Sequence, residues 1–196
     1  MRLDPRERRD LLVAWLALGL AFALFFEGVT PMGLPGYLTS SAFVSGMVLS
    51  LLTVGVGFLL HELAHKVVAT RFGQVARFKA DYGMLLLAIA GGLAGLVFAA
   101  PGAVYHRGRL TPRQHGLIAL AGPATNMALA VAFVPLLFVH PLLGSRGVTI
   151  NLLLGAFNLL PVGGLDGATI KEWSGPVWVV SFVPSVLLAL WVLFGL

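Results

Sequence analysis

The sequence contains no cysteine, and few of its 196 residues carry a charge. Without cysteine, the chain has no disulfide framework, no thiolate metal ligand and no cysteine nucleophile. Asp, Glu, Lys and Arg make up 11% of the residues, whereas 58% are hydrophobic. Because about a quarter of the residues in a soluble domain are charged, this composition excludes an ordinary soluble domain and predicts a polytopic membrane protein.

The net charge of +5 does not indicate a nucleic-acid partner, because the basic residues form short clusters between apolar runs and no continuous patch. Four arginines precede the first apolar run: Arg2, Arg6, Arg8 and Arg9. Basic clusters that flank membrane helices generally lie on the cytoplasmic side. We therefore expect a multi-pass protein of the cell membrane, surrounded by the lipid bilayer, with a cytoplasmic N-terminus.

The apolar runs predict an all-α fold with about five to six transmembrane helices. The runs at 11–26, 42–71, 114–139 and 177–194 read as helices, with Ser40 or Ser41 as the N-cap of the second. Residues 72–83 alternate polar and apolar side chains and could form a strand. Residues 140–147 read as a short loop containing Arg146, and Lys171 and Glu172 read as a polar turn. Residues 148–161 are too short to cross the membrane unless the helix continues or unwinds at residues 161–164 toward Asp166.

The glycine-rich segment 84–104 allows two interpretations. Its length and apolarity permit a spanning helix, but its glycines and Pro101 weaken a helix and are compatible with a membrane-embedded hairpin. Basic residues stand on both sides of the segment, so a full crossing would place one basic cluster on the wrong side of the membrane. The positive-inside rule therefore favours a re-entrant segment.

The second apolar run leads into the pattern His-Glu-x-x-His at residues 61–65. On a helix, His61 and His65 lie one turn apart on the same face, where both imidazoles can reach one metal ion. The carboxylate of Glu62 is then placed to accept a proton from a water molecule without binding the metal itself. This arrangement is typical of a zinc hydrolase, which needs a third protein ligand from elsewhere in the chain.

Asp166 is the candidate for the third ligand. Nineteen residues separate Ala42 from His61, and 18 separate Val148 from Asp166. In continuous helices both lengths correspond to about 27 to 29 Å, so His61 and Asp166 would reach the same depth. A carboxylate at that depth is costly alone and favourable beside a dication, although an interfacial loop aspartate is the alternative.

Three motifs follow one another in the order and spacing of a known family. They are His-Glu-x-x-His at 61–65, Ala-Gly-Pro at 121–123 with Asn126, and the pattern N-x-x-P-x-x-x-x-D-G formed by Asn158, Pro161, Asp166 and Gly167. The chain thereby resembles the site-2 proteases, intramembrane zinc metalloproteases of the M50 type, and its compact form resembles archaeal members. The similarity covers roughly residues 43–172, which we take as the core of a single integral membrane peptidase domain, 1–196.

The resemblance implies the chemistry of the site. One Zn2+ per chain would be held by His61, His65 and Asp166, Glu62 would activate the water, and Asn158 would lie beside a transmembrane protein substrate. The activity implied is hydrolysis of peptide bonds within or near transmembrane segments, in regulated intramembrane proteolysis. The supporting residues are Asn126 beside the site, Gly122 and Pro123 for close packing and a kink, and Pro161 and Gly167 in the third motif.

Two other functions are compatible with parts of the sequence. A small transporter also has broken helices and polar residues within the membrane, but it predicts an internal repeat that the sequence lacks. An inactive membrane interaction protein would tolerate loss of Glu62 or of a ligand, yet all of these residues are present. Asn158 also has an alternative role, as a polar contact between helices.

Overall fold

The computed structural model describes residues 3–96 and 101–195. The helices are α1 Pro5–Phe26, α2 Leu34–Leu38, α3 Ser41–Ser50, α4 Val56–Arg71, α5 Tyr82–Leu93, α6 Pro112–Phe133, α7 Leu136–Val139, α8 Pro141–Asn158, α9 Asp166–Trp173 and α10 Gly175–Phe194. A π-helical turn, Leu51–Gly55, joins α3 to α4, and strands β1 Val75–Ala80 and β2 Gly102–Arg107 form a two-stranded sheet.

Four helical segments are long and apolar enough to cross a membrane: Pro5–Phe26, Ser41–Arg71, Pro112–Val139 and Gly175–Phe194. The shorter apolar helix α5 and the 18-residue helix α8 accompany them. The predicted all-α polytopic class is confirmed, as are the strand within 72–83 and the N-cap at Ser40, whose Oγ accepts a hydrogen bond from the Phe43 N–H.

The described residues group into two compact units. One unit contains residues 3–59, 77–96 and 101–105, and the other contains residues 60–76 and 106–195. In the first unit, α1 packs against α3, the π-helical turn and α5. In the second unit, α6 packs against α8 and α9, and α10 packs against the same two helices.

Two buried carboxylates of α1 bind the backbone of β1. Oε1 of Glu7 accepts a hydrogen bond from the Phe78 N–H at 3.0 Å, and Oδ2 of Asp10 accepts one from the Ala80 N–H at 3.4 Å. Oδ1 of Asp10 also accepts a hydrogen bond from the Tyr82 hydroxyl at 2.8 Å. An unpaired buried N–H costs about 1 to 3 kcal/mol. The two carboxylates therefore stabilise β1 by pairing backbone N–H groups along its edge with α1.

A tryptophan of α1 packs against the π-helical turn and forms a hydrogen bond with it. The indole N–H of Trp15 donates to the carbonyl of Leu51 at 3.1 Å. A Cβ added to Gly55 would lie 2.5 Å from the indole ring, so only glycine leaves room for it. The turn therefore has a side-chain partner on α1 for its first carbonyl, and such turns occur mostly as single insertions within α-helices.

The glycine-rich segment returns to the point where it started. Helix α5 has 12 residues, too few to cross a bilayer that needs about 20. The backbone N–H of Asp81, which precedes the segment, donates to the carbonyl of Pro101 at 3.0 Å. This geometry agrees with the re-entrant interpretation; the part of the prediction that concerns residues 97–100 lies outside the described residues.

Three boundary predictions were wrong. Helix α8 begins at Pro141, with His140 as its N-cap, so Arg146 lies within a helix and not in a loop. The equal-depth argument assumed an unbroken helix up to Asp166, whereas α8 ends at Asn158 and Asp166 begins a new helix. Lys171 and Glu172 belong to that helix, where the Lys171 ammonium lies 5.1 Å from the centre of the Trp178 ring and gains a cation–π contact.

Candidate metal centre

Two elements supply three converging ligand atoms. His61 and His65 lie one turn apart on α4, and both are buried. Asp166 is the first residue of α9, and its carboxylate faces the two imidazoles. Among residues 3–96 and 101–195, these three side chains form the one group of at least three His, Asp or Glu residues able to hold a metal ion.

The distances between the three atoms fit a tetrahedral zinc ion. Nε2 of His61 lies 2.9 Å from Nε2 of His65, and Oδ2 of Asp166 lies 3.3 Å from the first nitrogen and 3.4 Å from the second. Ligands about 2.0 to 2.1 Å from a tetrahedral Zn2+ are about 3.3 Å apart. Two nitrogens and one oxygen, with a fourth position left for water, are the donor set of a catalytic zinc site.

Each histidine also has a partner for its other ring nitrogen. Nδ1 of His65 lies 2.7 Å from the carbonyl oxygen of Ile118, which can only accept a hydrogen bond. His65 therefore carries its proton on Nδ1 and presents the Nε2 lone pair to the site. Nδ1 of His61 lies 2.6 Å from Oδ1 of Asn126, a fully buried residue of α6. Outer partners of this kind orient metal-binding histidines.

Gly122 closes one side of the ligand pair. A Cβ added at this position would lie 2.5 Å from Nε2 of His61 and would also collide with Nε2 of His65. The backbone of α6 can approach the imidazoles because residue 122 has no side chain. Pro123 follows inside the same helix and is buried, so the predicted packing role of Gly122 is a contact with the two histidines themselves.

The chain has known relatives, and one of them matches it along nearly its whole length. "Putative zinc metalloprotease MJ0611" of Methanocaldococcus jannaschii is 37% identical, over 98% of this chain and 97% of its own length. The chain belongs to this zinc metalloprotease family. "Putative zinc metalloprotease YwhC" of Bacillus subtilis is 32% identical, over 62% of this chain and 66% of its own length. "Putative zinc metalloprotease Rip2" of Mycobacterium tuberculosis is 33% identical, over 82% and 63%.

No protein-family model matches the chain, and no solved structure gives a significant match. The relatives nevertheless confirm the resemblance drawn from the three motifs at the level of a zinc metalloprotease family. Zn2+ is the cofactor of this metalloprotease, since the names of its relatives specify zinc and the group formed by His61, His65 and Asp166 fits that ion.

Glu62, the predicted general base of the zinc metalloprotease, lies on α4 between the two ligands. Its side chain is 7% exposed. The carboxylate follows the ligand His61 directly in the chain and is almost fully shielded from solvent. Its role as the general base stays a prediction.

The third motif forms the turn that leads to Asp166. A Cβ at Gly167 would collide with the carbonyl of Leu159, so the glycine allows the start of α9 to pack against the end of α8. Pro161 lies within this turn, half-buried. Asn158 is the last residue of α8, and its Nδ2 donates to the Leu154 carbonyl at 2.9 Å; its predicted place beside a substrate stays a prediction.

The sequence interpretation of the metalloprotease missed Asn151 of α8. Its side chain is fully buried and lies 3.0 Å from the amide of Asn126. The available signal was an uncharged polar residue inside the apolar run 148–157, because such residues are costly in a membrane unless they have partners. The Ile118 carbonyl was also missed, and no sequence signal identifies a single backbone acceptor.

Two further histidines, His106 of β2 and His115 of α6, do not belong to the metal-binding group. The rings of His106 and His115 meet edge to face, with their centres 5.5 Å apart. Burial lowers the pKa of His106, and the neighbouring His115 lowers it further. The lowered pKa favours the neutral form of His106.

Proposed function

We propose that this protein is an intramembrane metalloprotease of the site-2 type, which hydrolyses peptide bonds within or near transmembrane segments of membrane proteins. The observation that carries the proposal is the position of the zinc ligands on a helix that can span a membrane. His61 and His65 belong to the continuous helical segment Ser41–Arg71, which is 31 residues long and contains an 18-residue stretch with a mean hydropathy of 2.2.

The depth of the ligands supports cleavage at membrane level. Twenty residues separate Ser41 from His61, about 30 Å along the helix axis and close to the thickness of the hydrocarbon core. The site would lie near one face of the bilayer, where water reaches it more easily than at the centre. A soluble protease needs no such helix.

Each residue of the site has a separate part in peptide hydrolysis. Zinc, when bound, supplies a Lewis acid for the scissile carbonyl and for the attacking water. Glu62 accepts the proton from that water and returns it to the amine that leaves. Asp166 and the two histidines are ligands, so they take no proton in this scheme.

Substrate binding requires an extended peptide. The amides of a transmembrane helix are hydrogen-bonded to one another, so a substrate helix must unwind locally before its carbonyl is attacked. Asn158 is the proposed partner for the freed backbone. Since its amide now donates to the Leu154 carbonyl, binding a substrate backbone would exchange one acceptor for another.

The test is cleavage in a bilayer. The purified protein, reconstituted in liposomes with a model transmembrane substrate, should cut inside or next to the apolar segment, as located by mass spectrometry of the products. A zinc chelator should stop cleavage, and added Zn2+ should restore it. Cleavage that is insensitive to the chelator, or confined to a soluble peptide of the same scissile sequence, would contradict the proposal.

We also propose that the N-terminus and the active-site end face the cytoplasm. The chain has no cysteine, so a single cysteine can be labelled without background. Arg109→Cys, in the exposed loop before α6, should react with an impermeant thiol reagent from the cytoplasmic side only. Ser145→Cys, exposed in α8, should react from the outer side only. The reverse pattern would invert the orientation.

A further inference from the structure

Asn151 lies at the end of a chain of buried side-chain hydrogen bonds that leads to His61. Its Nδ2 donates to the carbonyl of Gly147, one turn earlier on α8, at 2.9 Å. Its Oδ1 accepts from Nδ2 of Asn126 at 3.0 Å, and Oδ1 of Asn126 contacts Nδ1 of His61 at 2.6 Å. Both asparagines are fully buried.

The direction of this chain is determined at Gly147. A backbone carbonyl can only accept, so the amide of Asn151 must turn its nitrogen toward Gly147 and its oxygen toward Asn126. Asn126 must then donate to Asn151 with its nitrogen, which leaves its oxygen facing His61. Reversing either amide would bring two acceptors or two donors together in a buried site.

The same logic applies to the ring of His61. Because its Nδ1 faces an oxygen, the proton of the neutral ring lies on Nδ1 and the lone pair lies on Nε2. A metal ligand needs that lone pair. His65 obtains the same tautomer directly from the Ile118 carbonyl, whereas the partner of His61 is an amide that could present either atom.

We infer that Asn151 is a positioning residue for the zinc site: by orienting the Asn126 amide, it fixes the His61 tautomer that can bind Zn2+. It touches neither zinc nor substrate, and it acts only through Asn126. The inference rests on the proposed ligand role of His61. It is tested by zinc affinity, so it can fail while proteolysis stands, and it can hold if the substrate class is wrong.

Close packing of two helices brings the two amides together. A Cβ at Gly147 would collide with the ring of Phe133 of α6, and one at Gly155 would collide with Met127 and lie 3.5 Å from Cβ of Asn126. Glycines on α8 therefore allow its backbone to approach α6. Asn151 lies between these two glycines.

The test compares zinc affinities, measured by competition with a chromophoric chelator on detergent-solubilised protein. Asn151→Leu has a similar volume but no hydrogen-bonding groups, and it should weaken zinc binding about 10- to 100-fold, the range typical of outer partners of metal ligands. Asn151→Asp is buried and therefore neutral, so its carboxylic O–H can donate to the Gly147 carbonyl while its other oxygen keeps an acceptor toward Asn126; it should bind zinc within about threefold of the wild type. Ser145→Ala, on the same helix but with an exposed hydroxyl that donates to the Leu142 carbonyl, should leave zinc affinity unchanged.

A double variant separates positioning from general destabilisation. In an Asn126→Leu background, Asn151→Leu should cause no further loss of zinc affinity, because the connection to His61 is already broken. Thermal unfolding of each variant shows whether it is folded, and Asn151→Ala replaces the leucine variant if that protein does not fold. Wild-type affinity of Asn151→Leu, equal weakness of the aspartate variant, or a full additional loss in the double variant would each overturn the inference.

Discussion

Glu62→Gln is expected to reduce peptide cleavage by about two to four orders of magnitude, the range attributed to general acid–base catalysis. Glutamine keeps the size of the side chain but cannot accept the proton of the attacking water. The variant should still contain about one zinc per chain, because Glu62 does not belong to the converging ligand group of His61, His65 and Asp166. The measurement pairs cleavage of the reconstituted model substrate with metal analysis of the same preparation.

Retention of zinc distinguishes this result from loss of the site. A conservative Glu172→Gln variant, on the exposed side of α9, is the matched control and should cleave like the wild type. If Glu62→Gln cleaves at the wild-type rate, Glu62 is not the base. If it loses its zinc, the side chain is a ligand or holds one in place.

Asp166→Asn is expected to weaken zinc binding by more than the 10- to 100-fold typical of outer partners, and to stop cleavage. Asparagine preserves the shape of the side chain but removes the anionic oxygen that lies 3.3 Å and 3.4 Å from the two histidine nitrogens. Zinc bound by two neutral imidazoles alone lacks both a ligand and charge compensation. Zinc per chain after dialysis against a mild chelator measures the effect.

Asp81→Asn provides the comparison. Asp81 is the N-cap of α5, where its Oδ1 accepts from the Met84 N–H at 3.0 Å. Asparagine caps helices as well as aspartate does, so this variant should keep its fold, zinc and activity. A protein that keeps zinc and activity without the Asp166 carboxylate, but loses both without Asp81, would show that the third ligand was assigned to the wrong acid.

The local part of the site could be predicted from the sequence. The spacing of His61 and His65 on a helix fixes their common face, and this needs no knowledge of the rest of the fold. Asp166 is different, because the count of helical residues that placed it assumed a helix that the structure does not contain. The position of Asp166 depends on the turn after Asn158 and on Gly167. Both belong to the third sequence motif, so the motif identified Asp166 for a reason that counting helical residues did not include.

The partners of the ligands could not be predicted, because they depend on how helices distant in sequence pack. Sixty-five residues separate His61 from Asn126, and 25 separate Asn126 from Asn151. The acids of α1 present the same difficulty. The arginines around Glu7 and Asp10 suggested a topology signal, and only the folded chain shows that these two carboxylates bind a strand about 70 residues away.

The carboxylates of Glu7 and Asp10 also limit how the small sheet can associate with other chains. An exposed strand edge is a template on which a further strand, from a substrate or from a second copy, can pair. Two N–H groups of β1 are already bound to α1, so an incoming strand would have to displace ionisable side chains from buried positions. These hydrogen bonds of Glu7 and Asp10 lie along β1, so they would not hinder a strand that pairs along β2. The two edges of the sheet therefore differ in how readily they can accept a further strand.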